Sequence, residues 1–114
     1  MLLLVLVLPM AARAQVTPVA AVGASADSRR FQVEQIELGR TQYHRTCAQC
    51  HGRNMVNAGT TVFDLRKFPV DEADRFHHSV AVGKGSMPSF MEALSPEQIG
   101  LLWAYVGSRG GKEN

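Results

Sequence analysis

The five residues Cys47-Ala48-Gln49-Cys50-His51 hold both cysteines of this 114-residue chain. A chain of about 100 residues buries only some 60 to 68% of the surface its unfolded form exposes. Its core is modest, and such chains often rely on a disulfide, a metal or a cofactor. Two thiols three positions apart, with an imidazole directly behind them, are where this chain must find that support.

A thiol pair of this kind has four uses. A redox dithiol is normally reached from a strand in a βαβ unit, with the thiolate at a helix N-terminus; here a helical pattern precedes the motif. Tetrahedral zinc needs two more ligands at suitable spacing, and downstream the sequence offers only the adjacent pair His77 and His78. A disulfide between Cys47 and Cys50 closes too small a loop to restrict the unfolded chain much. Covalent haem remains: C-x-x-C-H presents two sulfurs to the two vinyl-derived carbons of the macrocycle and holds the following imidazole beneath the iron. His51 is then the proximal ligand, neutral, with its second ring nitrogen donating to a backbone carbonyl.

One axial position stays open, and its occupant decides between electron transfer and small-molecule chemistry. The candidates are His44, Met55, His77, His78, Met87 and Met91. His44 and Met55 lie too near His51 along the chain to cross to the far face of a tethered macrocycle, and are read as side or surface residues. Met87 sits in Gly83-Lys84-Gly85-Ser86-Met87-Pro88, where glycines let the backbone press close and proline stiffens it. It lies outside any apolar stripe, so it is expected as a thioether ligand rather than as core filling. Met91, beside Phe90, is expected to pack against the haem edge, and His77 and His78 to be exposed on a helix.

The remainder of the sequence organises around this motif. MLLLVLVLPMAA is apolar but well short of the roughly 20 residues of a spanning helix, and Ala12-Arg13-Ala14 follows it as a small-residue cleavage pattern. Residues 1–14 therefore read as a signal peptide for export, although no basic residue precedes the apolar run. Residues 15–27 read as a flexible leader, 28–108 as the folded domain and 109–114 as a C-terminal tail. Residues 1–14 contain one of the 12 basic residues and none of the 10 acidic ones, so the rest of the chain is nearly neutral. With its Lys and Arg scattered among acids, it is not built to bind nucleic acid.

The periodicity is helical throughout. Phe31, Ile36, Leu38, Tyr43 and Cys47 give a loose helical pattern ending at the motif. Asp71-Glu72-Ala73-Asp74 opens a second helix closed by Gly83. Ser95-Pro96-Glu97-Gln98 combines an N-cap, a first-turn proline and a capping box, and Ile99, Leu102, Trp103 and Val106 then form one apolar face. Residues 52–69 read as loop, and no strand signal exceeds 60–63. The fold is expected to be all-α.

Cys47 to Gly52 (C-A-Q-C-H-G), Gly85 to Pro88 (G-S-M-P) and Leu101 to Val106 (L-L-W-A-Y-V) together resemble the small class I cytochromes c over residues 31–108. The resemblance implies helices wrapped around one covalent haem c, with a first helix that packs closely through Gly39 and Tyr43 on a last helix bearing Tyr105. A second likeness, in Gly52-Arg53-Asn54, Asp64-Leu65-Arg66, Phe76, Val80, Gly83 and Met87, is to the cytochrome domains and partners of PQQ-dependent alcohol dehydrogenases. The family often supplies the carbonyl for its ligand histidine from a proline soon after the motif. Here no proline occurs between His51 and Pro69, which leaves that carbonyl open.

The function expected is that of an exported, periplasmic, monomeric electron carrier. Cys47 and Cys50 attach the haem, and His51 and Met87 ligate its iron. It takes one electron from a dehydrogenase and passes it to another cytochrome or an oxidase, and it is not itself an enzyme. Arg66 or Arg53 could meet a haem propionate. With only three lysines, docking depends more on apolar contact than on long-range steering. Two alternatives stand beside this: a haem sensor or peroxidase-like protein with a labile sixth ligand, and a fixed subunit whose Phe63, Phe68 and Phe90 form an apolar patch.

Overall fold

The computed structural model describes residues 29–57, 59 and 61–114. The segments 1–14 and 15–27 set apart in the sequence lie outside the described residues. Four α-helices occur among these: α1 (Val33–Thr46), α2 (Ala48–His51), α3 (Ala73–Val82) and α4 (Pro96–Gly107). Two single 3-10 turns, Arg53–Met55 and Leu65–Lys67, punctuate the loop between α2 and α3. No strand occurs among the described residues, only one isolated bridge between Lys84 and Met87. No helix among them is long and apolar enough to cross a membrane. The all-α expectation holds.

α4 starts where its sequence says it must. Ser95 accepts the Gln98 N–H at 3.2 Å, and the Gln98 side chain accepts the Ser95 N–H at 2.9 Å, so two of the orphan donors at the helix start are satisfied reciprocally. Its burial extends beyond the expected apolar face: Ile99 and every residue from Leu102 to Gly107 are buried. Such a helix must be covered on more than one side, and α1 covers the first.

α1 buries Ile36, Gly39 and Tyr43, which stand at i, i+3 and i+7 on one face. Leu38, counted in the helical pattern, points away and is half exposed. Gly39 lies so close to α4 that a Cβ there would come within 1.9 Å of the Leu101 carbonyl oxygen. One turn on, the rings of Tyr43 and Tyr105 pack at 5.0 Å between centroids. Both contacts agree with the helix crossing that the resemblance implied.

On its other side α4 meets α3, which buries Phe76 and Val80. Phe68, Phe76 and Trp103 form an aromatic cluster with centroids 5.1 to 5.9 Å apart, in the edge-on and tilted arrangements that aromatic quadrupoles favour. Phe68 is thus core and not part of an outward patch, whereas Phe63 is 54% exposed. Two methionine expectations also change. Met55 is buried, not at the surface, and Met91 is 58% exposed, not packed inward.

Residues 109–114 fold back on the body. Arg109 donates to the carbonyls of Leu65 and Phe68 at 3.3 and 2.6 Å, and the Asn114 amide exchanges two bonds with the backbone of Phe31. Arg30 adds bonds to the carbonyls of Val70 and Gly107. Together they tie the loop between α2 and α3 to the end of α4.

Candidate cofactor site

A cavity of about 720 Å³ opens between α2, the loop at 61–68, α3 and the segment 84–90, and its floor is formed by Leu102 and Val106 of α4. That size is within the usual 300 to 1,000 Å³ of small-molecule and cofactor pockets. Cys47, Cys50, His51 and Met87 all line it, brought together from two separate segments.

The first three come from one turn of helix. The His51 N–H donates to the Cys47 carbonyl at 2.9 Å and the Cys50 N–H to the same carbonyl at 3.1 Å. Positions i, i+3 and i+4 of a helical turn share one side, so both sulfurs and the imidazole face the cavity. Both thiols are free. Burial first, and neighbouring Cys50 second, push the Cys47 thiol up to about 12. An attacking thiol of a redox pair is shifted the other way, so Cys47 is not placed as one. Among the described residues no three His, Cys, Asp or Glu side chains gather as a metal-ion cluster, which leaves the zinc use without ligands.

His51 Nδ1 lies 3.1 Å from the Phe63 carbonyl oxygen. A carbonyl can only accept, so Nδ1 carries the proton and Nε2 keeps its lone pair. The carbonyl left open by the missing proline is thus that of Phe63, and no residue type marks a carbonyl in a sequence. The nearest signal was Asp64, whose carboxylate caps the turn Leu65–Lys67 by accepting the Arg66 N–H at 3.0 Å. It also takes the Arg66 guanidinium at 2.9 and 2.8 Å, and these bonds hold the carboxyl down at about 2.

Met87 is delivered by a two-residue hairpin. Lys84 and Met87 exchange both backbone bonds at 3.0 and 3.1 Å around Gly85-Ser86, with Gly85 at φ +59° as such tight turns require. Gly83 ends α3 at φ +82° and ψ 169°, a region open essentially to glycine alone. A Cβ there would lie 2.6 Å from the Met87 carbonyl oxygen.

The other candidates stand elsewhere. His44, Met55, His77, His78 and Met91 do not line the cavity. His44 donates from Nδ1 to the Arg40 carbonyl and accepts the Asn54 N–H at Nε2, while His77 faces Gly100 of α4. Arg53 and Arg66 are also off the wall, and Arg66 is engaged by Asp64. The charged groups on the wall are Arg75 and Lys84, both basic. Arg75 lies over the Phe68 ring at 4.6 Å and pairs with Glu72. An apolar cavity with two free thiols, one tautomerically fixed imidazole, one thioether and two cations fits a covalently held haem with its carboxylates.

Comparison with known proteins agrees. The family model described as "Cytochrome C oxidase, cbb3-type, subunit III" matches residues 34–106. The cytochrome c6 of Gloeothece citriformis is 36% identical over 72 residues, covering 60% of this chain and 66% of that protein. The cytochrome c6 of Microcystis aeruginosa is 38% identical over 72 residues and is covered to 89%. The quinohemoprotein alcohol dehydrogenase ADH IIB of Pseudomonas putida is 35% identical over 81 residues, which are 67% of this chain but 11% of that enzyme. This chain therefore spans just under two thirds of the first of these relatives and about a tenth of the dehydrogenase. No solved structure matches it. The chain belongs to the cytochrome c family, and its cofactor is one covalently bound haem c with iron.

Proposed function

We propose that this protein is an exported, monomeric electron carrier in which Cys47 and Cys50 would hold haem c by two thioethers and His51 and Met87 would ligate its iron. The observation that carries the reading is the bond from His51 Nδ1–H to the Phe63 carbonyl, which leaves Nε2 as the free donor on the cavity wall. When bound, the haem supplies a one-electron iron couple. The chain supplies everything else. Leu102, Val106, Phe68 and Phe76 keep water from the cavity, and the Lys84–Met87 hairpin fixes the thioether. Arg75 and Lys84, rather than Arg66 or Arg53, offer charge to the haem carboxylates. With His51 held by the Phe63 carbonyl and Met87 by its hairpin, reorganisation between oxidation states would be small.

The donor we propose is a dehydrogenase, of the PQQ-dependent kind suggested by the likeness to quinohemoprotein alcohol dehydrogenases, and the acceptor a downstream cytochrome or oxidase. Exchange takes place in the periplasm through a small contact, typically under about 1,200 Å² for electron-transfer encounters. Catalysis at an open sixth position would need a distal acid or base, and the histidines that could serve, His77 and His78, do not line the cavity.

The test is the holoprotein made in an exporting host. Its mass should exceed that of the polypeptide by one haem, and its oxidised spectrum should show the weak red band of sulfur-ligated ferric haem. Met87→Ala should abolish the band and let imidazole or cyanide bind without competition. A bare polypeptide mass overturns haem attachment, and a band that persists in Met87→Ala overturns the ligand.

A further inference from the structure

The backbone is least ordinary in the four residues that follow His51. Gly52 stands at φ +80°, and Asn54 and Met55 at φ +55° and +65°. Two consecutive non-glycine residues in the left-handed region persist only where their surroundings over-determine them. The surroundings here are specific. Met55 is buried, the Asn54 N–H donates to His44 Nε2 at 3.4 Å, and the Tyr43 hydroxyl donates to the Gly52 carbonyl at 2.8 Å. Neighbouring residues of α1 thus hold the strained turn from one side.

Tyr43 is the informative member. Its ring is fully buried between α1 and α4, and it also lines the cofactor cavity. A phenylalanine would fill that crossing equally well. A buried hydroxyl must find a partner, and the partner here is the carbonyl of the residue immediately after the candidate iron ligand. On the other side of His51 the backbone is already held, through the bond of its N–H to the Cys47 carbonyl, and the ring is held by the Phe63 carbonyl.

We infer that Tyr43 is a positioning residue for His51: its hydroxyl, through the Gly52 carbonyl, fixes the turn from which the imidazole projects and so sets the ring's orientation at the iron. The inference rests on the reading of His51 as ligand and adds a residue that acts on it without touching the metal. It also couples the crossing of α1 and α4 to the ligand, so that a change in helix packing is felt at His51.

The experiment compares Tyr43→Phe with Tyr105→Phe, since Tyr105 is the ring partner in the same crossing and has no bond to the turn. Both are read as haem-loaded oxidised protein, after the wild-type mass has shown attachment, so a failed haem assignment is told apart from a failed latch. Both variants lose stability. Only Tyr43→Phe should displace the hyperfine-shifted NMR resonances of the His51 ring, change the spread of the haem methyls and shift the reduction potential.

Tyr105→Phe also leaves Tyr43 as the sole tyrosine, because the chain has two. Fluorotyrosine incorporated in that background makes the remaining phenol a stronger donor without altering the packing. The His51 resonances should then move in the sense opposite to Tyr43→Phe. His51 resonances that stay at the Tyr105→Phe positions, in Tyr43→Phe or, should that variant not take up haem, in the fluorinated protein, overturn the inference and leave Tyr43 as packing alone.

Discussion

The two sides of α4 are built on different terms. Against α1 it makes a helix crossing so close that only glycine fits at position 39, with the tilted rings of Tyr43 and Tyr105 packed beyond it. On the side of Leu102 and Val106 it floors a cavity whose other walls are the turn at 47–51, the loop at 61–68, a hairpin and one face of α3. The first side is closed by the chain's own side chains. The second is a set of short pieces whose own apolar contact centres on Phe68 and Phe76, arranged around what Cys47, Cys50, His51 and Met87 would hold. One half is closed by packing and the other leaves room for a cofactor.

The largest effect should come from preventing attachment. Cys47→Ser with Cys50→Ser removes both sulfurs at nearly constant volume, yet in so small a chain it should remove most of the roughly 5 to 15 kcal/mol that folded domains command. Far-UV circular dichroism should show much of the helix lost at 25 °C. In hydrogen exchange, residues 73–94 should lose protection before α1 and α4 do. Equal loss in both halves would mean that the two sides of α4 do not differ in what stabilises them.

The packed side is broken most directly at Gly39. A Cβ at 1.9 Å from a backbone oxygen cannot be relieved by a rotamer change, so Gly39→Ala must push the helices apart. Overpacking of this kind costs about 3 kcal/mol, read as a fall in denaturant midpoint. Gly83→Ala probes the other side. It places a side chain at φ +82° and against the Met87 carbonyl, at about 2 kcal/mol. It should weaken the sulfur–iron band while leaving the protection of α1 and α4 unchanged.

The same contrast governs what the sequence revealed. The helices were legible because caps need Ser95 and Gln98 and an apolar face needs a 3.6-residue period, while their crossing at Gly39 came from the resemblance to the class I cytochromes c. Caps and period are written in side chains. The residues gathered on the cavity wall were legible for a different reason, since C-x-x-C-H and a methionine outside any stripe are chemical signatures. What escaped was backbone and environment. Phe63 supplies a carbonyl, which no residue type encodes. Met55 is pulled inside by a left-handed turn of which Asn54 was the one local signal, and Met91 is left outside because Phe90 turns inward instead. Arg66, expected to reach a haem propionate, is engaged by Asp64 instead.

Asp64 yields the smallest and most local prediction, on the cavity side only. Its carboxyl is lowered from an ordinary 3.8 to about 2, chiefly by the Arg66 side chain. A carboxyl depressed in the folded state contributes stability that is fully present above the unfolded value and is lost as pH falls through the folded one. The loop at 63–68 should therefore loosen between about pH 4 and pH 2. Asp64→Asn makes the test clean, because asparagine caps a helical turn as well as aspartate does and still accepts the Arg66 N–H, but cannot answer the guanidinium charge. At neutral pH the variant should already show the lower amide protection of residues 64–68, with little change in global stability, since surface pairs contribute little. Below pH 4 the amide protection of residues 64–68 should fall in the wild-type protein and stay level in the variant, with α1 and α4 unaffected in both. Because the Phe63 carbonyl that holds His51 adjoins this turn, the wild-type His51 resonances should begin to move in the same window, and those of Asp64→Asn should not.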